Sequence, residues 1–196
     1  AGNIVTKDIN GKDVDIFADL AAGKTVVIDV FATWCGPCWS FHKTGTLESI
    51  NSTFGPNGTN QVRVYGIEGW EASPVDYLYK AVAASGNDRG SQGDWTEGVE
   101  YSIINDHTFN DLLKIAAFPT LYVIRPDKTV LEMFDYKSNA VIWVKAMLPT
   151  AEKDVVFTTS IKEKSFCSTT AFASKPTILN LGTTAISSVD SDLSIN

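Results

Sequence analysis

Cysteine is scarce, with three residues among 196. That excludes a disulfide-rich scaffold, which needs several bridges in a short chain. Basic residues are in deficit, 16 against 23 acidic for a net charge of −7, and none form a run. This argues against binding a nucleic-acid phosphate backbone and against docking on anionic lipid. Long apolar runs are missing too: the longest, such as Thr25 to Ala32, are strand-sized, far short of the ~20 residues that span a bilayer. No repeat of fixed period is visible. What is present is ordinary globular material, 44% hydrophobic and 11% aromatic, which rules out wholesale disorder. At ~150 residues per domain, the length gives one domain and a remainder.

The hairpin signal Asn10-Gly11 separates two short strands between Ile4 and Phe17. Asp19 to Ala22 reads as a helical turn ended by Gly23. Thr25 to Phe31 is a β-branched run apolar on both faces, expected of a central strand covered on both sides, and Asp29 interrupts it. A helix is expected from Pro37, suited to a first helical turn, to about Phe54, followed by a strand over Val62 to Ile67. Ser73 and Pro74 predict a helix over Pro74 to Ala84. The polar stretch Ser85 to Gly98 is expected to be a loop, a long one for a compact domain. A strand at Tyr101 to Ile104, a helix at Phe109 to Ala116, strands at Thr120 to Ile124 and Val130 to Phe134, and an amphipathic helix over Asn139 to Leu148 complete the first 149 residues.

Beyond Pro149 the composition shifts: 16 Ser or Thr fall among the last 47 residues, with no Trp. Alternation in Thr177 to Leu181 suggests β-strands. The expected division is therefore a domain over 1–149 and a β-rich tail over 150–196.

The chemistry concentrates in Trp34-Cys35-Gly36-Pro37-Cys38, between a buried strand and a helix. A cysteine at a helix N-terminus meets free N–H groups and the positive dipole end, which stabilise the attacking thiolate. A second cysteine one turn later is placed to attack the mixed disulfide. Gly36 and Pro37 keep the turn tight. Half of a zinc site is an alternative, but the remaining ligand candidates, Cys167, His42 and His107, form no second pair at metal spacing. An inert structural disulfide is the other.

Trp34 to Cys38 after Val26 to Thr33 resembles the thioredoxin superfamily. Asp29 lies six residues before Cys35, where thioredoxins carry a buried acid. Phe118-Pro119-Thr120 resembles the loop whose cis-proline faces the cysteines. The N-terminal hairpin and the strand at Tyr101 to Ile104 resemble the extracytoplasmic TlpA-like and peroxiredoxin-related branch. The resemblance spans about residues 3 to 149 and implies an α/β fold with a central mixed sheet flanked by helices. It departs in three places. Lys43, followed by Gly45, stands where thioredoxins kink the helix with proline; Val64 stands where they carry a lysine beside the buried acid; and Ser85 to Gly98 is an insertion.

The resemblance implies a thiol–disulfide oxidoreductase acting on protein thiols and disulfides, with a redox donor or acceptor protein as partner and no metal or organic cofactor. Cys35 is the expected nucleophile, Cys38 the resolving thiol and Asp29 the proton acceptor. Desolvation is expected to raise the Asp29 pKa; the bland alternative is a solvated acid at a strand edge. Trp34, Gly36, Pro37, Phe118 and Pro119 are expected to form the substrate surface, with the Phe118 backbone free to pair with an extended segment. Glu68 either tunes the cysteines or faces solvent. Trp39, Trp70 and Trp95 either line a partner groove or pack inside, and His42 is expected to be solvated. Asp88, Asp94 and Glu97 do not fit a calcium loop and are expected to be solvated. Asn51-Ser-Thr53 and Asn57-Gly-Thr59 match the glycosylation pattern.

Three functional classes stay open at this level. One is the oxidoreductase; the second is a thioredoxin-like recognition or scaffolding module of a larger secreted protein. The third is a peroxiredoxin-type peroxidase, which needs a Thr/Ser-x-x-Cys context that Cys35 lacks. The chain begins at Ala1 rather than Met, so either a leader has been removed or the chain has been trimmed; a periplasmic or secreted location is expected. The tail weakly resembles the opening strands of an immunoglobulin-like domain, and Cys167 within it has no evident partner.

Overall fold

A computed structural model describes residues 3–71, 73–133, 136–148, 155–157 and 178–180. Its first elements are the hairpin strands β1 (Val5–Lys7) and β2 (Asp13–Asp15), which pair antiparallel around Gly11. Helix α1 (Ile16–Ala21) follows at once, starting three residues earlier than expected because the Asp15 carboxylate caps it, accepting from Ala18 N at 2.9 Å.

Strand β3 (Thr25–Phe31) is buried along its whole length. It sits at the centre of a five-stranded sheet because both of its faces are covered and both edges paired. With β4 (Val62–Glu68), β5 (Ser102–Asn105), β6 (Thr120–Ile124) and β7 (Val130–Met133), the spatial order is β5-β4-β3-β6-β7. The β3–β4 and β4–β5 pairs are parallel; β6 and β7 run antiparallel. Side chains alternate along β3. Val26, Ile28 and Val30 enter one apolar cluster with Ile67, Ile104 and Tyr122, while Phe31 belongs to a second with Cys35 and Cys38. Asp29 has the parity of Phe31 and so lies on the sheet face that the cysteine helix covers. Each fully buried Val or Ile contributes about 1.5–3 kcal/mol, enough to fix the register that puts Asp29 there.

The expected single helix to Phe54 is two helices, α2 (Gly36–His42) and α3 (Thr46–Phe54). Gly45 takes a left-handed φ of 66°, and the Thr44 hydroxyl donates to Phe41 O at 2.7 Å, ending α2. Asn51 is buried within α3, so the first glycosylation match is inaccessible; Asn57 is exposed.

The expected helix over Pro74 to Ala84 is replaced by one 3₁₀ turn, Val75–Leu78. The carbonyls that would continue it are taken by the following loop: Trp95 N donates to Leu78 O at 2.8 Å and the Ser91 hydroxyl to Tyr77 O at 2.7 Å. Val82 and Ser91 pair as an isolated bridge. Tertiary contacts here override a favourable local propensity. Helix α4 (Phe109–Leu113) stops three residues short of expectation, at a left-handed Lys114. Helix α5 is Tyr136–Met147, and its end is tied to β3 by the Thr25 hydroxyl, which donates to Met147 O at 3.1 Å.

Contacts divide the chain into two units, Ala1–Met147 and Leu148–Asn196. In the second, β8 (Val155–Phe157) pairs antiparallel with β9 (Ile178–Asn180). Cys167 lies outside the described residues. No helix among the described residues is long and apolar enough to cross a membrane.

Candidate active site

Cys35 and Cys38 form a disulfide at the start of α2. Cys35 is the helix N-cap, with extended backbone, and its Sγ accepts from Cys38 N at 3.2 Å. Pro37 stands in the first turn, where no N–H is needed. Both cysteines are buried, Gly36 is half-buried and Pro37 is exposed. The Phe118–Pro119 peptide is cis, and Phe118 packs edge-on against Trp34 with ring centroids 6.3 Å apart. Phe118 also belongs to the cluster that contains both cysteines, so the β6 entry and the α2 start meet. Beside them runs a groove of about 1100 Å³, lined by Trp34, Trp70, Asn110, Ala117 and Phe118 among others.

Asp29 is 4% exposed, and its Oδ1 has no hydrogen-bond partner among the described residues. Burial pushes its pKa up to about 7, and the negative charge of Glu48 adds to the rise. The solvated alternative is therefore excluded: this carboxyl gains or loses a proton near neutrality.

Glu48, on α3, carried no signal in the sequence. Its Oε1 accepts from the Tyr101 hydroxyl at 3.4 Å and lies 4.0 Å from His42 Nδ1, while its Oε2 is buried without a partner among the described residues. Asp29 and Glu48 both push the Tyr101 phenol well above its ordinary range, although burial is the larger cause. The Glu48 charge thus acts on Asp29, Tyr101 and His42 alike. Val64, at the position where a lysine was absent, supplies no positive charge to them.

His42 is not solvated. Its side chain is 11% exposed, lying between Trp39 and Trp95 with ring centroids 5.2 Å from each. Burial pulls its pKa down, against the attraction of Glu48 and Asp94. Trp95 is core rather than groove: it is 2% exposed and stacks on Phe31 at 4.5 Å. Trp39 reaches the same loop because residue 93 is glycine; a Cβ there would lie 2.4 Å from the Trp39 ring.

Glu68, at the end of β4, is buried rather than solvent-facing. Its carboxylate accepts from Thr33 N at 3.3 Å and Trp70 N at 3.2 Å, while burial pushes its pKa up to about 7. It ties the two segments that carry Trp34 and Trp70 through their backbone. Asp88 and Asp94 make local hydrogen bonds, to Gly90 N at 2.8 Å and Thr96 N at 2.9 Å. Among the described residues no group of three or more His, Cys, Asp or Glu is arranged to hold a metal ion.

The chain has a thioredoxin fold. It superposes on the exposed lipoprotein thioredoxin of Streptococcus pneumoniae with a TM-score of 0.51, at 17% identity over 74% of this chain and 98% of that one. The thioredoxin domain of a thiol-disulfide oxidoreductase from Bacteroides vulgatus gives 0.50, at 16% identity over 74% and 94%. A thiol-disulfide oxidoreductase from Bacteroides fragilis gives 0.50, at 13% identity over 74% and 98%. No protein-family model matches the sequence, and no curated protein matches it. Identities this low establish the shared fold and leave the chemistry to be argued from the site.

Proposed function

We propose that the protein is a thiol–disulfide oxidoreductase of protein substrates, of the extracytoplasmic TlpA-like kind. The observation that carries this reading is a Cys35–Cys38 pair at a helix N-terminus, on the sheet face that holds a buried carboxyl with a pKa of about 7. A merely structural bridge has no use for a buried, unpartnered acid, which destabilises the fold whenever it ionises.

In the reduced chain the Cys35 thiolate attacks one sulfur of a substrate disulfide. An Sγ–S bond forms, the substrate S–S bond breaks, and one substrate thiolate leaves and takes up a proton. Asp29, ionised at this stage, accepts the Cys38 proton. The Cys38 thiolate then attacks Cys35 Sγ, closing the Cys35–Cys38 disulfide and expelling the second substrate thiolate. The substrate gains two electrons and the chain loses two; a donor thiol protein restores them. Run backwards, the same steps oxidise a substrate dithiol. Cys35 turns to solvent little, so the substrate strand must reach it past Trp34 and Phe118, beside the Pro119 turn. No metal or organic cofactor enters these steps.

The division of roles between the cysteines gives the test. Cys38→Ser is expected to accumulate a mixed disulfide between Cys35 and substrate proteins, visible on non-reducing gels and lost with dithiothreitol; Cys35→Ser is expected to trap nothing. A Cys38→Ser chain that captures no disulfide protein would leave the recognition-module reading standing.

A further inference from the structure

The loop that departs from the thioredoxin pattern ends against the residues that precede Cys35. Gln92 N donates to Thr33 O at 3.0 Å, and Gln92 Nε2 to Trp34 O at 2.9 Å. The loop is closed on itself by the Val82–Ser91 pair, with N–H to O distances of 2.9 and 2.8 Å. These bonds fix Arg89, three residues upstream, at the lip of the redox centre. Its guanidinium carbon lies 4.3 Å from the Trp34 ring centroid and 4.8 Å from that of Trp70. The two rings meet edge-on at 83°, their centroids 5.3 Å apart, so the guanidinium rests in the corner they form.

Arg89 is exposed, and its N–H groups reach no acceptor among the described residues. The adjacent Asp88 carboxylate keeps its charge but makes no contact ion pair with Arg89, its oxygens being taken by the Tyr77 hydroxyl and Gly90 N. Aromatic faces satisfy the positive charge of a guanidinium without using its N–H edge, and that edge matches a carboxylate bidentately. A cavity of about 280 Å³ opens beside it, walled by Trp34, Trp70, Ser73, Pro74 and Asp88. Trp34 is shared between this cavity and the larger groove past Phe118, whose lining carries Glu71 and Asp111. The Arg89 side of the redox centre thus carries one cation beside one carboxylate, Asp88, while the groove side carries two carboxylates, Glu71 and Asp111.

We infer that Arg89, held by Trp34 and Trp70, is a substrate-docking residue that selects protein segments with a carboxylate side chain close to the reacting cysteine. This rests on the oxidoreductase reading and names its substrate class. Because the chain as a whole is acidic, with a net charge of −7, long-range attraction does not favour an acidic partner; the selection is a short-range contact.

The test uses the full reduced chain and disulfide-linked model peptides that differ at one position beside the cysteine, Glu, Gln or Lys. The wild type is expected to reduce the Glu peptide about tenfold more efficiently than the Gln peptide in kcat/KM, the worth of one charge-assisted contact, and the Lys peptide less well than either. Arg89→Gln is expected to bring the Glu-to-Gln ratio within about twofold of one, and Arg89→Lys to fall between. Equal efficiency on all three peptides in the wild type, or a preference that survives in Arg89→Gln, overturns the inference while leaving the oxidoreductase reading intact. A wild-type chain that reduces none of the peptides overturns both.

Discussion

Replacing Asp29 by Asn is expected to make the protein more stable and less active, with a pH dependence that identifies the cause. The carboxyl has an ordinary pKa of 3.8 and a folded-state value of about 7. A raised value means that the folded chain binds the proton more tightly than the unfolded one, so stability is full below pH 3.8 and declines as pH rises to about 7, then levels off. At 1.36 kcal/mol per pH unit between the two values, the loss reaches about 4 kcal/mol. Asn cannot ionise and escapes this loss. Urea unfolding of the oxidised chain at pH 8.5 should therefore find Asp29→Asn more stable by about 2–4 kcal/mol, with the difference shrinking to within about 0.5 kcal/mol at pH 4. Comparing the two proteins cancels the contribution of Glu68, whose pKa is also about 7. Turnover should move the other way, falling on the order of 10²-fold near neutrality as the Cys38 proton loses its acceptor. Equal stability at pH 8.5, or a stability gain that does not vary with pH, would refute the buried-carboxyl argument. Undiminished turnover would refute its catalytic half.

Three further outcomes are expected. Glu48→Gln removes the negative charge that helps raise the Asp29 pKa; the midpoint of the pH–rate profile should move to lower pH, and an unmoved midpoint would show that the two carboxyls do not communicate. Glu68→Ala leaves Thr33 N and Trp70 N without their acceptor; unfolding free energy should fall by about 2–4 kcal/mol, read by denaturant titration at pH 4, below the ordinary value of 4.5, where the cost of ionising a carboxyl with a pKa of about 7 is absent, and the loss should shrink at pH 8; an unchanged midpoint at pH 4 would contradict its role as a tie. Removing residues 150–196 should leave a folded chain with its disulfide-reductase rate intact, since contacts divide the chain at Met147. Loss of folding would place the tail in the core, and loss of rate in a folded chain would bring Cys167 into electron transfer.

The frame of the site was legible in the sequence because it rests on local patterns. A seven-residue β-branched run announced the central strand, Asn10-Gly11 the hairpin, and the Cys-Gly-Pro-Cys spacing with Phe118-Pro119 the place where the disulfide and the cis peptide meet. The acid inside that run, Asp29, was legible because burial of a carboxyl on such a strand has few physical outcomes. What escaped depends on contacts distant in sequence. Leu78 and Tyr77 give their carbonyls to residues 95 and 91, which ends a helix that local propensity favours. His42 is enclosed by Trp95, over fifty residues away, and Glu48 meets Tyr101 across the same distance. Arg89 sits in a polar loop whose composition resembles any solvated surface; only the loop's return to Thr33 and Trp34 brings it to the cysteines.

The central claim, that Cys35 and Cys38 act together as a two-electron couple, is tested most directly by mixing the fully reduced chain with one equivalent of a disulfide-containing protein such as insulin and counting thiols over time. The expected result is loss of two thiols from the chain, both at Cys35 and Cys38, with matching appearance of two on the substrate, much faster than with free glutathione at equal thiol concentration and absent in Cys35→Ser. Exchange no faster than with glutathione, or retained in Cys35→Ser, would contradict it.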